Sequence, residues 1–404
     1  MVSHILPWML LTNILIISSI TLVVIDKEIK SKALNLVKNK LFWVALIPFL
    51  IYFTSLINST DLNFGLKEIE KKLSLLVFPI IFGLTPFGKK EISYFLKTMI
   101  ATIILGCILG FLNQLPIYLD TGDSGWLYND NLSSIMNKQA VYYSFFINTA
   151  FLSLIYLFKE NQLHTKLEKY IAIASIPILF VTQYFLTCRT ALITSTIIIV
   201  GFILWLISKE IKQKAQKTII IIISLILIAS FFTIPKVLKR FESITNIEYS
   251  YSNPNPLNHF NGEIKKENWN GLNTRLAIWS CVVEEISKNP IIGTGIGDLQ
   301  NNLRQNYSEK KFTLAQEANY NSHNQFLDVL LSGGILGLFL FIIYFYQIFK
   351  LSINNSNYLL TFFAIIFITA SLTENILSRN QGVVFVSLLL SILIFSKKLN
   401  QNKI

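Results

Sequence analysis

Charge is what this sequence has least of for its length. Asp, Glu, Lys and Arg make up only 14% of 404 residues, whereas 52% are hydrophobic and the mean hydropathy is positive. So few charges exclude an ordinary soluble surface, and the composition is that of a chain that uses a bilayer as solvent. Cysteine is almost as scarce. Cys107, Cys188 and Cys281 form an odd set with no CxxC and no ligand spacing, which excludes a disulfide framework and a thiolate zinc site. No DxD sequence occurs, and Asp61, Asp120, Asp123, Asp298 and Glu317 stand apart, so neither a divalent metal nor another cofactor is expected. No nucleophile-elbow sequence marks a hydrolase. The first apolar run has no basic segment before it and no A-x-A-like cleavage site, so it reads as a retained span rather than a signal peptide.

What the sequence does have is a series of apolar runs of roughly twenty residues, each long enough to cross a hydrocarbon core of ~30 Å. Spans are expected near 5–25, 41–58, 68–85, 93–118, 138–158, 169–187, 190–208, 217–234, 327–349, 357–373 and 381–396. The fold class is thus all-α and polytopic, with about eleven transmembrane helices, in a range of roughly ten to twelve. The third span is the shortest, because Lys67, Glu68, Glu70, Lys71 and Lys72 occupy its start, and it is either re-entrant or tilted. The net charge of +12 is spread through the loops between spans rather than clustered with aromatics, so nucleic acid is excluded as a partner. Cytoplasmic loops retain Lys and Arg during insertion. One set of short loops and the C-terminal tail carries about seventeen of them against about six in the other set, which puts the N-terminus outside and the C-terminus inside.

This orientation divides the chain into an N-terminal bundle over 1–234, a large outer loop over 235–325, and three C-terminal spans with a cytoplasmic tail over 326–404. A loop of that length is functional or disordered rather than a connector. Its first half, Tyr249 to Asn270, is rich in Asn, Pro and Ser and reads as flexible. Its second half contains an amphipathic helix over 274–288, with Leu276, Trp279, Val283 and Ile286 on the apolar face, stopped by Asn289 and Pro290. The following Gly293-x-Gly295-x-Gly297 turn has no strand before it and does not make a dinucleotide fingerprint.

Ser322 and Gln325 have the spacing of a capping box at the head of the next span, which places His323 in its first helical turn. The amides and dipole there disfavour an imidazolium, leaving either a neutral histidine fit to act as a general base or an ordinary interfacial one. Gly333 and Gly337 in the same helix allow a neighbouring helix to approach closely. Outer-side arginines are few: Arg189 in a tight hairpin, Arg240, Arg275, Arg304 and Arg379. Arg189 is the most costly, since a guanidinium flanked by two apolar spans must face a polar cavity or a partner, and its planar fork suits phosphate oxygens.

Four blocks resemble the O-antigen ligase and O-antigen polymerase superfamily of bacterial envelope glycosyltransferases. Cys188-Arg189-Thr190-Ala191-Leu192 is similar to the family's Ser-Arg hairpin, with Cys188 in place of the hydroxyl residue. Arg275-x-x-x-Trp279 with Asn289-Pro290 and Gly293-x-Gly295 resembles its Arg-to-Trp and Pro-to-Gly signature. Ser322-His323-Asn324-Gln325-Phe326-Leu327 with Gly333, Gly334 and Gly337 resembles its His-Asn, Leu, Gly signature, and Thr373-Glu374-Asn375 with Gly382 its last outer turn. Glu70-Lys71-Lys72-Leu73-Ser74 to Pro79 also looks like a variant found in some members.

The resemblance implies a GT-C-like membrane enzyme of the bacterial inner membrane with its active site facing the periplasm. It implies transfer of a glycan from an undecaprenyl-diphosphate carrier to a hydroxyl of the lipid A core, or of a growing glycan in a polymerase, inverting and without metal. His323 then stands where the family's catalytic histidine stands, and Arg189 and Arg275 match its diphosphate-binding arginines. Glu374, Asn324 and Arg379 would support them. A transporter of lipid-linked glycans is the alternative from another class; it would show inverted repeats, helices broken in matching halves and polar residues near the bilayer midplane.

Overall fold

The computed structural model describes residues 25, 27–209, 218 and 271–396. The expected spans at 5–25 and 217–234, Arg240, the Tyr249–Asn270 stretch and the tail lysines lie outside the described residues. Among the described residues every regular element is a helix.

The longer helices are α1 (Ile29–Lys38), α2 (Lys40–Ser55), α3 (Leu62–Lys72), α4 (Ser74–Leu84), α5 (Lys89–Thr121), α6 (Ala140–Lys159), α7 (Lys166–Leu186) and α8 (Arg189–Lys209). They are followed by α9 (Gly271–Lys288), α10 (Leu299–Glu309), α11 (Gln325–Asn354), α12 (Tyr358–Ser371) and α13 (Asn380–Ile394). Among the described residues five helical stretches are long and apolar enough to cross a membrane: Lys40–Asn58, α5, α6, α7 and α11. Arg189–Gly201, α12 and α13 are shorter and equally apolar.

The chain is therefore a multi-pass membrane protein. Its axis is α6, whose apolar window is 83% buried and which packs against α5, α7, α8 and α12. The outer helices keep one apolar face toward this core and expose the other, as Leu105, Leu109, Leu112 and Ile173 do. That pattern suits a protein surrounded by hydrocarbon, where exposed leucine costs nothing.

The third expected span, 68–85, is not one continuous helix. It begins at Leu62, and α3 and α4 meet at Leu73, whose right-handed helical backbone carries the chain onward with one interruption in the hydrogen-bond ladder. α4 is about 17 Å long at 1.5 Å per residue, too short to cross by itself. α3 brings the charged residues, and Lys72 ends fully inside the protein at 2% exposure.

The loops sort into two ends. At one end Thr60 donates from its amide and hydroxyl to Asp298 (2.6 and 2.9 Å), Thr187 bonds to Asn129, and Gln381 donates to Asn137 (2.8 Å). At the other, Lys89 pairs with Glu160 (2.8 Å), Lys97 with Glu168 (2.6 Å), and Tyr358 donates to Glu160 (3.2 Å). The first set contains the loops expected outside, the second those expected inside.

α11 is broken. Gly334 sits at φ 63°, ψ −164°, so the ladder stops between Ser332 and Ile335. Groups freed within an apolar region must find partners, and the segment after α9 supplies them. Thr294 and Gly295 donate to the carbonyls of Leu331 and Ser332 (2.8 and 3.1 Å), while Ile335 and Leu336 donate to Pro290 and Ile291 (2.8 and 3.2 Å). The Asn-Pro-x-x-Gly-x-Gly sequence is thus a splice that fills a helix break, and only glycine permits it. A side chain on Gly293 would begin 2.6 Å from the backbone at Ser332 and Gly334. Gly333 and Gly337 serve the close approach expected of them, since a Cβ at either would meet the Ile51 methyl of α2 at 3.4 or 3.3 Å.

The amphipathic helix α9 forms, but with a different buried face. Its core stripe is Thr274, Ala277, Ile278, Cys281, Val282 and Glu285, whereas Val283 is 57% exposed. The reason is that α9 packs against α10 and α11, so smaller residues and Glu285, which accepts from Asn306 (2.9 Å), take the inner side.

Candidate active site

The site is built from four pieces at one end of the bundle: the α7–α8 hairpin, α9, the segment that enters α11, and the turn between α12 and α13. α7 stops because Thr187 takes a left-handed conformation (φ 50°), and after Cys188 the chain immediately re-enters helix at Arg189. Thr190 meets Thr373 hydroxyl to hydroxyl at 3.2 Å, which ties the hairpin to the α12–α13 turn.

Arg275, one turn into α9, donates from Nε to the Thr373 carbonyl (3.1 Å) and from Nη1 to the Gly271 carbonyl (2.8 Å). One turn on, the Trp279 indole donates to the Ser322 carbonyl (2.9 Å). The Arg-x-x-x-Trp spacing therefore puts both side chains on one helix face, where one reaches the Thr373 turn and the other the His323 segment. The point where a Gly271 side chain would begin is 3.3 Å from Nη1 of Arg275 and 3.7 Å from Nη2 of Arg189. The two guanidinium groups expected to act together converge on one glycine.

His323 does not lie in a helical turn. The N-cap of α11 is Asn324, whose Oδ1 accepts from the amides of Phe326 (2.9 Å) and Leu327 (3.1 Å). The expected Ser322–Gln325 capping box is absent because both side chains are used elsewhere. Ser322 donates to Asn375 and to the Asn324 carbonyl (both 3.0 Å). Gln325 points into the core, donating to Tyr52 and accepting from the Leu377 amide (2.5 and 2.7 Å). His323 precedes the cap in a left-handed conformation (φ 44°), an uncommon state for a residue with a side chain and one found at functional sites.

The partner of the imidazole is accordingly a carboxylate rather than the amides of a helix. Nδ1 of His323 lies 3.2 Å from Oε2 of Glu374, and Tyr320 packs edge-on against the ring. Glu374 is 4% exposed, yet its carboxyl lies below the ordinary range. Burial pushes it up, but the charge and hydrogen bond of His323, with Arg275 and Arg379 further off, outweigh that penalty. An ionised Glu374 accepts a hydrogen bond from Nδ1–H, which turns the ring's acceptor lone pair to Nε2.

Three consecutive residues of the α12–α13 turn thus hold the site: Thr373 holds Arg275, Glu374 holds His323, and Asn375 holds the Ser322 hydroxyl and the Asn324 amide on either side of His323. Asn324 also donates to the Leu372 carbonyl (3.1 Å). Arg379 is exposed but near enough to act on Glu374, while Arg304 is exposed on α10 and has no part in the cluster. Asn375 and the buried group behind it, Asp328, Tyr52 and Lys72, were not singled out as functional by sequence reasoning. The signal was a charged residue on an apolar helix, Asp328, three places after Gln325. Among the described residues no three His, Cys, Asp or Glu side chains gather as metal ligands would.

A bundle of apolar helices thus brings two arginines, a histidine and a carboxylate together at one end of a multi-pass membrane protein. Residues 174–342 match the family model described as O-Antigen ligase, a range that contains Arg189, Arg275 and His323, so over this part the chain is similar to the O-antigen ligase family. A search of curated proteins returns no match.

Proposed function

We propose that this chain is an O-antigen ligase-like glycosyltransferase of the bacterial inner membrane. It transfers a glycan from an undecaprenyl-diphosphate carrier to a hydroxyl of the lipid A core on the periplasmic face. The observation that carries the reading is the His323–Glu374 pair beside Arg275, with Arg189 directed at the same glycine. In this reading the bundle over 1–234 and the spans over 326–404 hold the carrier's tail in the bilayer, and the outer segment over 235–325 covers the diphosphate.

Nε2 of His323 takes the proton of the acceptor hydroxyl, and the oxygen attacks the anomeric carbon from the face opposite the diphosphate. The bond from that carbon to the diphosphate oxygen breaks, and its electron pair leaves with the carrier, so the configuration inverts. Arg189 and Arg275 stabilise the charge that grows on the leaving group, the place where fixed cations contribute most to rate. Glu374 keeps the imidazole in the tautomer that accepts at Nε2 and stabilises the imidazolium once formed. No metal is needed in this scheme because the two guanidinium groups supply the positive charge.

The polymerase reading shares every residue and differs in the acceptor. The transport alternative draws on the broken α11, because transporters coordinate ions with the freed ends of broken helices. Here four of the groups at those ends are taken by Pro290, Ile291, Thr294 and Gly295, which speaks against that use.

The test is glycan profiling of envelope lipids from a deletion strain complemented with the wild-type gene, His323→Ala or Arg189→Ala. Loss of capped lipid A core with accumulation of lipid-linked polymer supports the ligase, and cores capped with a single repeat indicate the polymerase. Full rescue by both variants overturns the catalytic assignment.

A further inference from the structure

The buried charges of this end of the bundle are not all accounted for by the site. Asp328, one turn into α11, is 4% exposed, and Lys72, at the end of α3, is 2% exposed. Nζ of Lys72 lies over the Tyr52 ring at 4.7 Å and 3.6 Å from Glu68. Tyr52 donates to Oδ2 of Asp328 (2.9 Å), and Asn375 donates from Nδ2 to Oδ1 of the same carboxylate (2.8 Å). Burying a carboxylate is costly unless it is hydrogen-bonded and paired, so its retention in an apolar helix calls for a use.

The use lies on the far side of Asn375, which is completely buried. A carboxylate can only accept, so Asp328 obliges the amide to turn its NH₂ inward. Oδ1 of Asn375 must then face outward, where it accepts from the Ser322 hydroxyl (3.0 Å) and the Asn324 amide (2.6 Å). These two donors flank His323, whose left-handed backbone needs to be held from outside. The Asn375 carbonyl is itself held by the Tyr142 hydroxyl (2.9 Å). Glu374, the partner of the imidazole, is the residue immediately before.

We propose that Asn375 is a positioning residue for the transfer reaction, clamping the Ser322–Asn324 turn so that the His323 imidazole meets Glu374, and that Asp328 acts through it by fixing which way its amide faces. The inference rests on the general-base reading of His323.

The geometry makes a specific demand on substitution. Asn375→Asp places two carboxylates 2.8 Å apart and drives the clamp open. Adding Asp328→Asn restores every hydrogen bond with the roles exchanged. The new amide donates to residue 375 and accepts from Tyr52, and the new carboxylate accepts from Ser322 and Asn324. The experiment uses purified full-length protein in detergent, with lipid-linked glycan extracted from the deletion strain as donor, and measures kcat and donor KM.

Asn375→Asp should lower kcat about a hundredfold, the scale of a 1 Å misplacement of a catalytic group, with KM unchanged because the arginines are not disturbed. The double exchange should recover to within about fivefold of wild type, a coupling that independent sites do not show. Ser322→Ala, which removes one donor of the clamp and leaves the fold intact, should lower kcat several-fold and serves as the test should Asn375→Asp fail to fold. Wild-type kcat in Asn375→Asp, no recovery in a folded double variant, or no change in Ser322→Ala overturns the inference. His323→Ala run in parallel separates the two readings. Should it retain transfer, the general-base reading fails and the inference with it; should it be inactive while Asn375→Asp transfers normally, the inference alone fails.

Discussion

Substituting Gly334 tests the splice between α11 and the segment that follows α9. Its backbone, at φ 63° and ψ −164°, lies in a region that is essentially restricted to glycine. A Cβ built there would lie 2.2 Å from the Ile291 carbonyl oxygen and 2.3 Å from its carbon, both backbone atoms that cannot step aside singly. Gly334→Ala therefore has two costs. The backbone conformation costs about 1–3 kcal/mol, and displacing residues 290–292 breaks the bonds from Ile335 and Leu336, at about 1–3 kcal/mol for each buried group left unpaired. A total of about 3–9 kcal/mol is expected, which reaches the range of exceptional substitutions. Gly333→Ala is the control, because its Cβ meets only a methyl at 3.4 Å and alanine favours helix by about 0.5–1 kcal/mol. Thermal unfolding in detergent followed by tryptophan fluorescence should show a large fall in midpoint for Gly334→Ala and little or no fall for Gly333→Ala. Glycan transfer should fall with the first alone, since the spliced segment joins the helix of Arg275 to that of His323. Equal midpoints for the two variants would refute the reasoning.

Arg275→Lys keeps the charge but cannot hold the carbonyls of Thr373 and Gly271 at once, so transfer should drop at least about tenfold, mainly through kcat, in the same detergent assay. Trp279→Phe removes the indole bond to the Ser322 carbonyl and should destabilise by about 1 kcal/mol, read as a small downward shift in unfolding midpoint. Glu374 gives a pH signature. Because its carboxyl is held below its ordinary range, the stability it adds is complete above the unfolded value of about 4.3 and is lost as pH falls through the lower folded value. The midpoint difference between wild type and Glu374→Gln should accordingly be largest near neutral pH and shrink below about pH 4. A constant difference from pH 7 to 3 would contradict the ion pairing.

Much of this arrangement was legible from residue spacing, and what was not has a physical cause in each instance. The apolar runs report only on where hydrocarbon lies, so they located the helices but not the interruptions at Leu73 and Gly334, which depend on contacts distant in the chain. Periodicity put Val283 on the inner face of α9, yet the packing against α10 decided otherwise, because small residues and Glu285 fit that surface better. The Ser322–Gln325 spacing is a sound signal for a capping box, and it failed because Asn375 and Tyr52, contributed by other helices, compete for the same side chains. Tertiary partners overrode a local rule at the residue where function is proposed, which is where such conflicts are expected.

The same competition explains why the residues of the site had to be widely separated in sequence. Arg189 begins a helix, His323 precedes one and Arg275 lies one turn into another, so all three sit near helix starts, where a side chain can be aimed without disturbing a buried stripe. None of the three helices could fix the others, since lipid supplies no hydrophobic drive to press them together. That task falls to polar contacts in a turn too short to move independently: Thr373 with Arg275 and Thr190, Glu374 with His323, and Asn375 with Ser322 and Asn324. Because these bonds join α8, α9 and the segment before α11 to the same three residues, breaking the Thr373 contacts should displace Arg275, and breaking those of Glu374 or Asn375 should displace His323.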